Sequence, residues 1–275
     1  MLALLALGSS VVWGTSDFFG GLASKRHPAV AIVGWTQALG LLSISAIVLA
    51  RLESQSWSGW PPWAAAAGIC GMVGLVAFYG ALSTGTMGVV APIAALGVIV
   101  PVSLGVASGE SPSAWAWVGM VIAIVGVTLA SGPEVSGAVS ARPVALAVVA
   151  ALCFGLALFC LDRGARVSTL MTLWGMRVTS VSILVVVALV KGNAGGVRAR
   201  EVPGLWLIGI GDLIANALFG LASSQGQVSV AAVLGSLYPV VTAVLAWIVV
   251  HERMRAVQYL GSVLAVIGAA VIAAG

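Results

Sequence analysis

Charged side chains are scarce in this chain. Only 7% of the 275 residues are charged, whereas 61% are hydrophobic. Soluble domains carry about 25% charged residues, so this chain could not cover an aqueous surface. It would instead expose large apolar patches and aggregate. The composition therefore excludes a soluble globular protein and indicates that lipid is the solvent.

Reactive and metal-binding residues are equally few. The three cysteines, Cys70, Cys153 and Cys160, fall inside apolar runs, where thiols are usually inert packing residues. We therefore expect neither a disulfide nor a metal site. His27 and His251 lie at loops, and neither HExxH nor a Ser–His pair occurs at membrane depth. We expect no enzyme and no cofactor.

Motifs for nucleotides and nucleic acids are also missing. The GxxxxGK[ST] phosphate-binding loop is absent, which argues against nucleotide-driven transport. The net charge is only +4, and no basic run is interleaved with aromatics, so nucleic acid is not an expected partner. The expected partner is the lipid bilayer.

Long apolar runs dominate what is present. A membrane span needs about 20 mostly apolar residues. We predict an all-α polytopic membrane protein with ten transmembrane helices in the cell membrane. The predicted spans are 3–24, 29–50, 63–83, 88–108, 114–130, 144–161, 169–190, 203–223, 229–250 and 256–273. The loops between them are too short for a separate soluble domain.

The two halves of the chain repeat each other. A shift of 141 residues places Trp13-Gly14 on Phe154-Gly155, and a shift of 142 then places Glu110 on Glu252. The 142-residue shift also aligns two glycine pairs, Gly119 with Gly261 and Gly126 with Gly268. We predict a first five-helix repeat at 1–131, a linker at 132–143 and a second repeat at 144–275. Five spans per half is odd, so the repeats would be inverted, as in many secondary transporters.

Three charged residues fall inside predicted spans: Asp17, Arg177 and Asp212. At 1.5 Å per residue they lie at depths of roughly 20, 12 and 17 Å, in the middle third of the bilayer core. Buried charges usually face a cavity or a partner. Their sum of one negative charge suits a cationic or zwitterionic substrate, or proton coupling. The alternative is that Arg177 pairs with one aspartate as a structural tie only.

Other polar residues extend the candidate site. Trp13 and Ser16 flank Asp17 in a small, polar patch that could form a substrate wall or could serve helix packing through small residues. Asn216, Tyr79 and Tyr238 are further candidates for ligand hydrogen bonds, with simple packing as the alternative. Structural roles are expected for Glu110 and Glu252 at span ends. The prolines Pro92, Pro101 and Pro239 would interrupt spans 4 and 9, as gates or as packing devices.

Several motifs resemble the EamA-type members of the drug/metabolite transporter superfamily. They are Trp13-Gly14, the run from Leu237-Tyr238-Pro239 to Val250-His251-Glu252-Arg253, and Gly261 with Gly268, echoed in the first half by Pro101, Gly109-Glu110, Gly119 and Gly126. The resemblance implies a ten-helix bundle of inverted repeats with a central cavity and no enzymatic activity. One departure is that Pro101 stands nine residues before Glu110, whereas Pro239 stands thirteen before Glu252.

The expected function is a secondary active transporter of small metabolites that works by alternating access around a midplane cavity. The resemblance implies amino-acid-like, drug-like or nucleotide-related substrates and often efflux, with protons as a candidate coupling ion. The alternative is a membrane channel or scaffold without coupled transport. The assembly is expected to be a monomer or a homodimer. Basic residues place both termini outside, whereas family members are more often drawn with cytoplasmic termini, so orientation stays open.

Overall fold

The computed structural model describes residues 1–51, 58–84, 90, 93–130, 141–193, 195–249 and 255–274. Within these ranges the chain consists of helices and short connections, and no strand occurs. The helices are α1 (Leu2–Ser24), α2 (Ala29–Leu49), α3 (Pro61–Thr84), α4 (Ile93–Ala107), α5 (Ala114–Ala130), α6 (141–167), α7 (169–191), α8 (Val202–Ser224), α9 (Val228–Gly235), α10 (Tyr238–Val249) and α11 (Ala256–Ala274). The predictions made for Pro92, His251 and Glu252 concern residues outside the described ones.

The prediction of an all-α membrane protein is confirmed. Seven helical segments of the described chain are long and apolar enough to cross a membrane, and Ile93–Ala107 and Ala114–Ala130 are shorter apolar helices. The 51-residue segment Ala141–Lys191 is divided by Ser168, whose backbone is extended (φ −159°, ψ 109°). Such a break separates α6 from α7.

One helix extends beyond its predicted membrane span. Span 6 was expected to end at residue 161 because Asp162 and Arg163 follow, yet α6 continues to residue 167. The Asp162 side chain is only 1% exposed, and its Oδ2 accepts a hydrogen bond from Arg166 Nε one turn later at 3.0 Å. The two side chains lie on one helix face, so Arg166 neutralises the buried Asp162 from within the same helix. The helix can therefore continue beyond residue 161.

Four glycines bring α5 and α11 into close contact. A Cβ on Gly126 would lie 2.8 Å from the carbonyl oxygen of Gly261, and the reverse distance would be 2.7 Å. Gly119 and Gly268 show the same two distances. Larger side chains here would force the helices apart, so these glycines set the separation of their backbones.

This glycine contact is symmetric. Since the repeat equates Gly119 with Gly261 and Gly126 with Gly268, the contact between Gly119 and Gly268 is the image of the contact between Gly126 and Gly261. The low-numbered end of α5 faces the high-numbered end of α11, so the two equivalent helices run antiparallel. A two-fold axis that exchanges two antiparallel helices is perpendicular to the helix axes.

The same symmetry holds at a second pair of contacts. A Cβ on Gly14 would meet the carbonyl oxygen of Tyr238 at 2.5 Å, which fixes α1 against α10. A Cβ on Gly155 would meet the carbonyl oxygen of Gly97, which fixes α6 against α4. A shift of 141 residues converts the first contact into the second. The sequence repeat is therefore also a repeat of helix packing.

Candidate functional site

A cavity lies among helices from both halves of the chain. Its wall includes six of the eight residues proposed for the site, namely Trp13, Asp17, Arg177, Asp212, Asn216 and Tyr238. The three charged residues predicted to lie in the middle third of the bilayer core therefore line one cavity.

Arg177 of α7 and Asp212 of α8 form an ion pair in the wall of this cavity. Arg177 Nη2 donates to Asp212 Oδ2 at 2.6 Å, and Arg177 Nη1 donates to Gln37 Oε1 of α2 at 2.5 Å. The Arg177 side chain is only 4% exposed. A buried guanidinium needs such partners, because an uncompensated charge in a protein interior is strongly destabilising.

Neighbouring polar groups hold this pair in place. Ser180 Oγ donates to Gln37 Oε1 at 3.0 Å, so the amide oxygen that Arg177 contacts is itself positioned. Trp13 Nε1 and Asn216 Nδ2 both donate to Asp212 Oδ1, at 3.3 and 3.1 Å. Both carboxylate oxygens of Asp212 are thereby occupied. The side chains come from α1, α2, α7 and α8, which join the two halves through one network.

Asp17 has fewer polar partners than Asp212. Its Oδ1 accepts one hydrogen bond, from the Tyr79 hydroxyl of α3 at 3.3 Å. In the described part of the chain no Lys, Arg or His forms an ion pair with it. The Arg177–Asp212 pair is neutral as a unit, so Asp17 is the one acidic residue lining the cavity that has no ion-pair partner among the described residues.

Two proposed site residues do not line the cavity. Tyr79 lies behind Asp17 and reaches the site only through its hydroxyl. Ser16 is buried against α8, where a Cβ on Gly211 would contact its hydroxyl oxygen. Consecutive helical residues are rotated by about 100°, so the residue before Asp17 faces a neighbouring helix instead. Ser16 therefore serves helix packing, the alternative to a place in the substrate wall.

Tyr238 is the first residue of α10, directly after the break that follows α9 and immediately before Pro239. It lines the cavity, and its hydroxyl oxygen is buried with no hydrogen-bond partner among the described residues. Buried polar atoms are normally hydrogen-bonded, so a lone buried hydroxyl beside a cavity indicates a group that a ligand can satisfy.

Sequence reasoning underrated Gln37 and overlooked Ser180. Both lie in apolar helices, and uncharged polar residues are common enough there to carry little signal. A weak clue existed, since the 141-residue shift aligns Thr36, the neighbour of Gln37, with Arg177. The apolar wall residues Phe154 and Leu158 were also overlooked, because an apolar side chain in an apolar helix has no distinguishing feature.

Comparison with known proteins agrees with this architecture. A solved crystal structure of a protein superposes with a TM-score of 0.79 at 20% sequence identity, covering 98% of this chain and 95% of that chain. This likeness shows the fold. No curated protein sequence matches the chain.

The fold and the cavity define a multi-pass helical membrane protein with an internal polar site. The family model described as "EamA-like transporter family" matches residues 1–132 and again residues 141–274. The chain therefore belongs to the EamA-like transporter family, and the resemblance drawn from its motifs is confirmed. The two matched segments correspond to the two halves that the sequence repeat indicates.

Proposed function

We propose that this protein is a secondary active transporter that moves small metabolites across the cell membrane, as an efflux carrier, by alternating access around the cavity described above. In this proposal the chain crosses the bilayer ten times as two inverted five-helix repeats. The carrying observation is that the cavity lies between the halves and combines an acidic residue without an ion-pair partner among the described residues, Asp17, with a neutral polar network. Transporter sites occur at such repeat interfaces near the bilayer midplane.

The symmetry of the packing supports a rocking mechanism. Gly14 against Tyr238 and Gly155 against Gly97 are equivalent contacts on the two sides of the cavity. If one contact set tightens while the other loosens, the cavity changes the face on which it opens, and the repeat gives the two states related packing. A substrate or proton that binds Asp17 would shift this equilibrium by its difference in affinity for the two states.

The test is transport by the purified protein in proteoliposomes. Vesicles are loaded with a defined mixture of amino acids, biogenic amines and nucleosides, and loss of each compound is followed by mass spectrometry. A carrier accelerates the loss of its substrate when the same compound is present outside, whereas a channel does not. We expect this exchange in the wild type and its loss in Asp17→Asn.

The matched control is Glu201→Gln, which removes a carboxylate that contacts His27 rather than the cavity. This variant should transport like the wild type. Wild-type rates in Asp17→Asn over a range of pH would contradict the assigned role of Asp17. Flux without acceleration by external substrate would instead favour the channel alternative.

A further inference from the structure

We propose that the cavity selects amphipathic monocations, that is, amines that carry an apolar body and no carboxylate. This inference rests on the proposed transport function and adds the substrate class. It comes from comparing the two cavity walls, which the 141-residue repeat relates to each other, and from the way in which Arg177 is occupied.

One wall of the cavity is polar. It is formed by α1, α8 and the α9–α10 junction, which pack against one another. Its polar lining residues are Asp17, Asp212, Asn216, Ser236 and Tyr238. The Tyr238 hydroxyl and the Asp17 carboxylate keep hydrogen-bonding capacity that the described residues do not fill.

The equivalent wall is apolar. A shift of 141 residues converts the five polar positions into Leu158, Gly71, Leu75, Ala95 and Gly97, and all five also line the cavity. They belong to α6, α3 and α4, and α6 packs against both α3 and α4. The two halves thus form equivalent walls of the cavity, and at these five positions only the wall from α1, α8 and the α9–α10 junction has polar side chains.

A ligand that fills both walls must itself be two-sided. Its apolar part would lie against Leu75, Leu158 and the ring of Phe154, where burial contributes about 25 cal/mol per Å² of apolar area. Its charged part would lie at Asp17, the carboxylate without an ion-pair partner among the described residues. The charge of that part is positive, because Asp212 is already neutralised by Arg177 and a cation at Asp17 would complete the second ion pair of the wall.

The occupation of Arg177 argues against zwitterions. Arg177 is the only cation lining the cavity among the described residues, and its Nη1 and Nη2 are engaged by Gln37 and Asp212. Its Nε is buried and lies toward Gly40 of α2, which does not line the cavity. A substrate carboxylate would therefore meet a guanidinium whose charge is already balanced by Asp212 and whose side chain is only 4% exposed, and it would gain no cation at Asp17.

Three probes that share one indole body separate these possibilities. Tryptamine is a monocation at neutral pH, tryptophan is a zwitterion, and N-acetyltryptamine is neutral. Binding to the purified full-length protein is measured by isothermal titration calorimetry, for the wild type and for Asp17→Asn. We expect wild-type protein to bind tryptamine at least about tenfold more tightly than either other probe, and Asp17→Asn to lose that preference. Thermal unfolding of both proteins verifies that the variant is folded.

The results separate the substrate class from the transport function. Equal or tighter binding of tryptophan, retention of tryptamine binding by folded Asp17→Asn, or no binding of tryptamine would each overturn the substrate class. Transport of tryptophan but not of tryptamine in proteoliposomes would also overturn it while leaving the transport function intact. Tight tryptamine binding without any flux would support the assigned class and count against transport.

Discussion

Glu110, which follows α4 in the first half, accepts hydrogen bonds from both the backbone amide and the hydroxyl of Ser229 at the start of α9, at 3.1 and 2.7 Å. Its other carboxylate oxygen accepts the backbone amide of Val228 at 2.7 Å. The first turn of a helix has amides without helical partners, and a carboxylate there also complements the helix dipole. A residue of one half thus caps a helix of the other, in agreement with the structural role expected for Glu110.

Replacing this cap should destabilise the protein. Glu110→Ala leaves the amides of Val228 and Ser229 without partners, and loss of a helix cap costs about 0.5–2 kcal/mol. Glu110→Gln keeps one acceptor oxygen and should lose less. The measurement is unfolding by SDS titration in mixed micelles. Ser229→Ala removes only the hydroxyl bond and is the graded control; wild-type stability in Glu110→Ala would contradict the capping role.

The Arg177–Asp212 pair should behave as a coupled unit. Either Asp212→Asn or Arg177→Met alone leaves one buried polar group poorly compensated, and such changes cost about 3–5 kcal/mol. The double variant should be less destabilised than the sum of the two, with a coupling energy of about 0.5–3 kcal/mol. The same SDS titration measures the stability of the wild type, the two single variants and the double variant. Additive losses would mean that the 2.6 Å contact contributes no interaction energy.

The glycine contact between α5 and α11 predicts a sharp contrast among glycine substitutions. Gly126→Ala would bring a Cβ within 2.8 Å of the Gly261 carbonyl oxygen and should destabilise by about 1–3 kcal/mol through overpacking. Gly34→Ala is the matched control, since no atom lies within 4 Å of its added Cβ. It should be neutral or stabilising by about 0.5–1 kcal/mol, because alanine favours helices. Equal effects of the two changes would show that the close approach does not limit stability.

The symmetry of the cavity predicts that its charge can be moved. Asp17→Leu removes the free carboxylate, and Leu158→Asp in the same protein returns one to the equivalent position on the opposite wall. We expect the single variant to lose tryptamine binding and the double variant to regain part of it. Recovery should be incomplete, because the repeat places Gly220 where Tyr79 supports Asp17. Calorimetric titration is the readout, and a folded double variant with no recovery would count against functional equivalence of the two walls.

Much of this architecture is legible in the chain itself. Low charge and long apolar runs determine a helical membrane protein, because an unpaired backbone in lipid is too costly for any open structure. The spacing of Glu110, Gly119 and Gly126, repeated 142 residues later, revealed the duplication that the family match at 1–132 and 141–274 reflects. Helical rise alone placed Asp17, Arg177 and Asp212 at one depth, and all three line one cavity.

Only the tertiary structure decided which of the three charged residues form an ion pair. Depth along a helix does not specify the direction of a side chain or its neighbours, so the sequence could not distinguish Asp17 from Asp212. Packing of α2, α7 and α8 encloses Arg177 with Asp212 and Gln37, and it turns Ser16 toward Gly211 and away from the cavity. The apolar counterpart wall at Leu158 and Leu75 likewise became visible only when equivalent residues were found lining the same space. Apolar residues have no sequence signature of position inside a membrane protein, because lipid and protein neighbours select them equally.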